Sequence, residues 1–197
     1  MRVSKEQAAD NRRQLLAAAA NLFRENGIQA TGVDEITKRA GLTHGSLYSQ
    51  FGCKEAVAAE AILYAASRSR DVWQGVQEHQ RGKRSFRKIV EQYLSRPHRD
   101  ARGRGCVLAA LGTDMARQPP RVRQAFTKAL KGAFAFVADQ LPGPRTARRE
   151  DQAIAAFCCM AGALILARAV EDAALSDRIL DDSAKQVVRL ASPMRSN

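Results

Sequence analysis

Residues 31–54 read T-G-V-D-E-I-T-K-R-A-G-L-T-H-G-S-L-Y-S-Q-F-G-C-K, and this stretch decides the fold of the chain. Val33, Ile36 and Ala40 recur at the spacing of one helical face, which predicts a short amphipathic helix. Gly41 follows that helix and lets the chain turn without steric cost. The stretch therefore predicts a helix-turn-helix, whose second helix rests on the first through Leu42, Leu47 and Phe51.

Side chains that can cap a helix mark both predicted helix starts. Thr31 with Asp34 three residues later is typical of a capping box, and the Thr43 hydroxyl can accept from the first free amides of the second helix. The second helix should direct small or hydrogen-bonding groups toward phosphates and base edges in a DNA major groove. These groups are His44, Gly45, Ser46, Tyr48, Ser49 and Gln50. From this pattern alone, an αα-corner of any helical protein remains an alternative.

Residues 10–60 resemble the DNA-binding domain of the tetracycline-repressor (TetR) family. The shared pattern is A-x-x-L-F-x-x-x-G ending at residue 27, T at 31, V-x-E-I, A-G-L, G-S-L-Y-x-x-F, and K-E at 54–55. The resemblance implies a ligand-responsive regulator, expected to be a repressor, that binds a palindromic double-stranded operator as a homodimer until a small effector releases it. It also implies phosphate contacts for Tyr48 and Lys54. The predicted DNA-binding residues are Thr31, Thr43, His44, Gly45, Ser46, Tyr48, Ser49 and Lys54.

The formal net charge of +12 favours an anionic partner, because a positive field attracts polyanions and releases their counterions. Residues 1–55, however, hold eight Lys/Arg against six Asp/Glu, an excess of only two. Among them, Arg12 and Arg13 could reach a phosphate or form a solvated face. Most of the basic surplus lies elsewhere, so a sequence-independent nucleic-acid-binding protein is the first alternative to the regulator.

Composition and periodicity predict an all-α protein of about nine helices. Abundant Ala and an aromatic share of 6% favour closely packed helices over β-layers. We expect a three-helix helix-turn-helix domain in residues 1–54 and a helical ligand-binding and dimerisation domain in residues 55–197. A long helix from Lys54 to about Gln80 should connect the two, whereas residues 98–105 should form a loop and residues 106–116 one helix.

Large apolar side chains of the second domain are candidates for lining an effector pocket, although each could be plain core. They are Trp73, Tyr93, Leu108, Leu111, Met115, Phe126, Phe157 and Met160. The last two helices should fold back on each other and present a thin face to a second copy, as the last helices of TetR proteins do in a four-helix bundle. A monomer could instead bury the same face. The predicted dimer residues are Ala155, Cys159, Gly162, Ala163, Ala167 and Val187.

The sequence predicts no catalytic, metal or cofactor site, because it lacks a Cys/His cluster, a phosphate-binding Gly loop and a G-x-S-x-G turn. Four cysteines without C-x-x-C pairing and no secretion signal predict a cytoplasmic location. The longest uncharged run, residues 153–167, is shorter than the ~20 residues that a spanning helix needs, so no membrane partner is expected.

Cys106 is the one candidate for thiol chemistry. It follows Gly105 at a predicted helix start, beside Arg102 and Arg104, where the dipole and the cations favour a thiolate. The Gly-Cys pair resembles a branch of the TetR family that includes repressors sensing electrophiles or oxidants, which makes Cys106 a possible redox sensor. An inert packed cysteine and a thiol-dependent enzyme are the alternatives.

Overall fold

The computed structural model describes residues 4–75, 83–142, 144 and 146–190, and the side chains of residues 73–75 and 83–84 lie outside this description. Within these residues the chain forms ten α-helices, two 3₁₀ turns and no strand, which confirms the predicted all-α fold. The helices are α1 (Lys5–Asn26), α2 (Val33–Arg39), α3 (His44–Phe51), α4 (Lys54–Gly75), α5 (Lys83–Tyr93), α6 (Arg96–Asp100), α7 (Val107–Leu111), α8 (Pro120–Gln140), α9 (Ala147–Ala169) and α10 (Ala173–Leu190). The 3₁₀ turns are Arg102–Arg104 and Gly112–Arg117.

The middle of the chain differs from the sequence prediction in two places. The expected loop at 98–105 contains the end of α6 and a 3₁₀ turn, because the Ser95 hydroxyl accepts from the His98 amide at 3.3 Å and Pro97 stands in the first turn, where a missing amide costs nothing. This short helix raises the count from about nine to ten. The helix expected at 106–116 changes at Gly112 into a 3₁₀ turn. The predicted end of the long helix near Gln80 lies outside the described residues.

Contacts between Cα atoms divide the chain into two compact units. The first unit comprises residues 1–68 and 102–129, and the second comprises residues 69–101 and 130–197. The predicted boundary after residue 54 falls inside the first unit, because the start of α4 buries Val57 and Ile62 there and Glu60 pairs with Arg12 of α1. The boundary between the compact units therefore differs from the predicted domain boundary. The assignment of DNA binding to residues 1–54 and of ligand binding and dimerisation to residues 55–197 stays a prediction.

The core of the first unit holds the helix-turn-helix. Large apolar side chains of α1, α2 and α3 are at most 1% exposed: Leu15, Leu22, Phe23, Ile36 and Leu47. The 3₁₀ turn Arg102–Arg104 packs against the end of α1, where Arg24 Nε donates to the Gly103 carbonyl at 2.7 Å. The approach is close, because a Cβ at Gly103 would lie 2.2 Å from a carboxylate oxygen of Glu25, so a larger residue would displace that side chain.

The second unit is built on the pair α9 and α10, which fold back on each other as the sequence predicts. Asp172 starts α10 by accepting from the amides of Ala174 and Leu175 at 2.8 and 3.0 Å. Helix α6 is bound to α10 by ion pairs, in which Arg96 and Arg99 both bond to Asp177. The C-terminal helices and the short α6 therefore form one connected structure within this unit.

Candidate nucleic-acid interface

The N-cap of helix α2 lies one residue later in the chain than predicted. Its N-cap is Gly32, which has no side chain to bond the free amides, so the predicted capping box of Thr31 with Asp34 is wrong. The Thr31 hydroxyl instead points inward and donates to the Gly27 carbonyl at 2.8 Å. Thr31 is 0% exposed, so its side chain does not reach the surface and the predicted contact with DNA is wrong as well.

The turn between α2 and α3 has the predicted geometry. Gly41 adopts a φ of +66°, which L side chains rarely adopt, and the Leu42 amide donates to the Thr37 carbonyl at 2.9 Å. Thr43 is the N-cap of α3, and its hydroxyl accepts from the Ser46 amide at 3.4 Å. The predicted cap of the second helix is therefore confirmed. Leu47 and Phe51 anchor α3 from below, because both are buried.

The outer face of α3 is neutral, polar and accessible. His44, Gly45, Tyr48 and Ser49 are exposed, with Tyr48 at 45%, and Ser46 is half-buried. The His44 ring lies edge-on to the Tyr48 ring with centroids 5.0 Å apart, which preorganises the two largest side chains of this face. This face combines small groups that permit close approach with hydrogen-bonding tips, as reading a DNA groove requires.

A carboxylate stands beside this face. His44 Nε2 lies 3.7 Å from Asp34 Oδ1, and the Asp34 side chain is 92% exposed. A carboxylate repels phosphates but accepts a hydrogen bond from the amino group of cytosine. Asp34 therefore places a negative charge beside this face, whereas the sequence predicts only a capping role for it.

Three basic residues near α3 form bonds within the protein. Lys54, the first residue of α4, is half-buried, and its Nζ donates to the Gln29 carbonyl at 3.2 Å. Arg12 is half-buried between α1, α3 and α4 and pairs with Glu60. Arg13 is instead exposed and pairs with Asp10 within α1. Of the two neighbouring arginines, only Arg13 forms the solvated face that the sequence suggested.

The candidate effector residues fall into both units. The first unit holds Leu108, Leu111, Met115 and Phe126, and the second unit holds Tyr93, Phe157 and Met160. All are buried except Phe126, which is half-buried. The Tyr93 and Phe157 rings meet edge-on at 6.1 Å between centroids. The side chain of Trp73 lies outside the part of the chain that the structure describes.

The predicted dimer residues separate into covered and open positions. Ala163, Ala167 and Val187 are at most 6% exposed, because α9 and α10 of the same chain pack on them. Ala167 and Val187 therefore offer almost no surface to a partner, whereas Ala163 also lines the groove between the two helices. Ala155 is exposed, and Cys159 and Gly162 are half-buried. Larger apolar groups that the prediction missed accompany them on the open side of α9 and α10: Ile154 (42% exposed), Leu166 (58%) and Leu175 (40%).

We call this open side the α9–α10 groove. It encloses about 470 Å³, and its walls are Cys158, Cys159, Gly162, Ala163, Leu166, Leu175, Arg178, Ile179, Asp182 and Ser183. By length and hydropathy, helix α9 could cross a membrane, and 39% of its most apolar window is buried in the protein. The groove thus combines apolar side chains with the charged residues Arg178 and Asp182.

Cys106 is the N-cap residue of α7 and is half-buried. Arg24 lies within electrostatic range of it. Burial lowers the pKa of the Arg24 guanidinium, and a thiolate on Cys106 acts in the opposite direction. Among the described residues, no group of three or more His, Cys, Asp or Glu side chains could hold a metal ion.

Comparison with known proteins agrees with this geometry. Residues 15–61 match the family model "Bacterial regulatory proteins, tetR family". The chain is 26% identical over 172 residues to the uncharacterized HTH-type transcriptional regulator Rv0196 of Mycobacterium tuberculosis, covering 82% of this chain and 86% of that one. It is 44% identical over 66 residues, 34% of each chain, to the uncharacterized HTH-type transcriptional regulator YdgC of Bacillus subtilis. The reduced form of Escherichia coli NemR has the same fold, with a TM-score of 0.76 and 20% identity over 90% of this chain and 95% of that one.

Proposed function

Because the chain belongs to the TetR family and is thus a DNA-binding transcriptional regulator, we propose that it is a cytoplasmic repressor released from a palindromic operator by a small effector. The observation that carries the proposal is the exposed face of α3, where His44, Tyr48 and Ser49 stand on a capped helix after a glycine turn. Such a helix can enter a major groove and reach base edges.

DNA contacts on this face divide by chemistry. Thr43, Gly45 and Ser46 lie at the start of α3, where small groups and free amides suit a phosphate. His44 and Ser49 extend toward the bases, and Tyr48 supplies a hydroxyl to a phosphate. Lys54 is a second phosphate ligand, and its amine must then exchange the Gln29 carbonyl for the DNA backbone. Thr31 has no part in this set.

A second copy of the chain is the proposed cover of the α9–α10 groove. The groove carries its own charge complement, because Arg178 and Asp182 both line it. In a two-fold interface the same surface of both protomers is in contact, and every pair of residues that meets occurs twice. Arg178 of one protomer can therefore approach Asp182 of the partner subunit. Ala155, Cys159 and Gly162 let the two helix pairs approach closely, and Leu166 and Leu175 supply apolar area.

The effector is the least defined partner. The buried apolar residues Tyr93, Phe157 and Met160 favour a small apolar molecule. Such a molecule must bind the DNA-incompetent state more tightly than the competent one, since only differential affinity shifts the equilibrium. Cys106 offers a second route, in which an electrophile or oxidant modifies the thiol near Arg24.

The test is selection of duplexes from a randomised pool, followed by footprinting on the DNA that flanks the coding region. We expect a palindromic duplex with half-sites about one helical turn apart, bound about 10³-fold or more tightly than random duplexes. His44→Ala should change which bases are preferred, whereas Tyr48→Phe and Lys54→Ala should weaken all sequences alike. Equal affinity for all duplexes would instead support the sequence-independent nucleic-acid-binding protein. Turnover of peroxide beyond one equivalent per chain would support the thiol enzyme.

A further inference from the structure

Arg12 makes three contacts with two other helices of the first unit. Its Nη1 donates to the Gln50 carbonyl at 2.9 Å, its Nη2 pairs with the Glu60 carboxylate, and its guanidinium carbon lies 4.2 Å from the centre of the Phe51 ring. Gln50 and Phe51 are the last two residues of α3, and Glu60 lies in α4. One side chain of α1 therefore connects the DNA-reading helix to the helix that follows it.

The Gln50 carbonyl, to which Arg12 donates, lies in the last turn of α3. The last four carbonyls of a helix have no partner within the helix, and the helix dipole places partial negative charge there. A guanidinium donating to such a carbonyl forms a charge-assisted hydrogen bond, and stacking on Phe51 fixes the plane of the donor. Arg12 therefore caps the C-terminal end of α3 from outside, while Thr43 caps its start.

Helix α3 depends on such external contacts because it has only eight residues. Isolated helices shorter than about 12–15 residues are marginal in water, so packing sets the position of α3. Leu47 and Phe51 hold α3 against the core by apolar contact. Such contact is not directional, so it restrains the distance of α3 from the core better than its rotation about its own axis. The directional bond from Arg12 restrains the rotation and tilt that decide which base edges the outer face reaches.

A direct phosphate contact by Arg12 is disfavoured by its partner. Binding a phosphate would separate the guanidinium from Glu60 and leave a half-buried carboxylate facing a polyanion. Arg13, the next residue, is 71% exposed in its side chain and pairs with Asp10 within α1, and in the described part of the chain it forms no bond to α3. The two arginines carry the same charge at almost the same place and therefore form a matched pair for experiment.

We propose that Arg12 is a positioning residue for α3 and that Glu60 is its counter-charge. Both residues then determine how well the protein discriminates operator from random DNA, although neither contacts the DNA. This inference rests on the proposed function for its DNA readout. It predicts an effect of Glu60 that electrostatics alone would not give. Removing an acidic charge near DNA should strengthen binding if only charge acted, whereas loss of the partner of Arg12 should weaken operator recognition.

The experiment compares Arg12→Ala, Arg12→Lys and Glu60→Gln with the control Arg13→Ala. Each variant is titrated with the selected duplex and with a random duplex of equal length, between about 50 and 200 mM salt. We expect Arg12→Ala to reduce the operator-to-random affinity ratio about tenfold or more, as loss of a charge-assisted bond predicts. Arg12→Lys and Glu60→Gln should reduce the ratio partly, and the salt slope should stay unchanged in all three. Arg13→Ala should leave the ratio as it is.

Equal weakening of both duplexes by Arg12→Ala, with a salt slope smaller by about one, would make Arg12 a phosphate ligand and overturn the proposal. An unchanged ratio would overturn it too. A wild-type protein with no preferred duplex would defeat the proposed function itself, which is a different result. Hydrogen exchange then tests the positioning separately: α3 amides should exchange faster in Glu60→Gln and Arg12→Lys while α1 amides do not. Unaltered α3 protection in these two variants, once each is shown to be folded, would also refute it.

Discussion

Replacing Thr31 by Val separates the structural role of this residue from a role in DNA binding. The side chain is 0% exposed, and its hydroxyl donates to the Gly27 carbonyl at 2.8 Å. Val has the same shape, so the substitution removes the hydrogen bond without opening a cavity. An acceptor left unsatisfied costs about 1–3 kcal/mol, and the half-buried Gly27 should fall in the lower part of that range, about 1–2 kcal/mol. In a protein of this size the melting temperature should fall by about 2–8 °C.

The assay is a thermal melt combined with titration of the selected duplex at a temperature where the variant is folded. We expect the affinity of the folded Thr31→Val protein to stay within about twofold of wild type, because no atom of Thr31 reaches the surface. Thr43→Val is the matched control, since it removes an exposed N-cap hydroxyl from α3. That change should cost about 1 kcal/mol of stability and also weaken DNA binding. A Thr31→Val protein of unchanged melting temperature and weakened binding would refute the assignment of Thr31 to the core.

Four further outcomes are expected. Leu166→Asp should give monomers in sedimentation experiments without detergent, because it places a charge in the apolar α9–α10 groove; a persistent dimer would exclude this interface. Cys158, exposed in the single chain, should be alkylated slowly in the wild-type dimer and rapidly in that monomer. Limiting alkylating reagent should modify Cys106 before Cys53 if Cys106 is the sensor, and equal or slower labelling would contradict that role. Asp177→Asn should lower the urea midpoint at pH 7, because hydrogen bonds from two α6 arginines lower the pKa of Asp177. That stability is fully present above the unfolded pKa, so the difference from wild type should shrink as pH falls below about 4 and vanish once pH is below the lowered pKa of Asp177 in the folded protein.

Local sequence predicted the helix-turn-helix almost completely, because its determinants lie within a few residues of one another. Gly41, the Thr43 cap and the burial of Leu47 and Phe51 follow from spacing and backbone chemistry alone. Thr31 shows where this ends. Threonine is a common N-cap residue, but the Thr31 hydroxyl donates to the Gly27 carbonyl at the end of α1. The N-cap of α2 is Gly32, one residue later, so Thr31 does not cap that helix.

Contacts between distant residues could not be predicted in this way. The alanine-rich pattern of α9 identified a close-packed helix but could not tell which side meets α10, because apolar residues surround it on both sides. The sequence therefore places the buried Ala167 on the outer face and misses the exposed Leu166. Arg12 likewise looked like a surface cation, since its partner Glu60 lies 48 residues away.

The charges around α3 indicate how the proposed regulator would gain specificity. Helix α3 carries no Lys, Arg, Asp or Glu, and the charge of Arg12 is paired with that of Glu60. Non-specific binding to DNA comes mainly from free cations that neutralise phosphates, so a reading face of this kind contributes little to it. Base contacts and the fixed orientation of α3 must then supply most of the discrimination. A net charge of +12 is consistent with this because most of the surplus lies outside residues 1–55, where it can raise the rate of encounter without relaxing the choice of sequence.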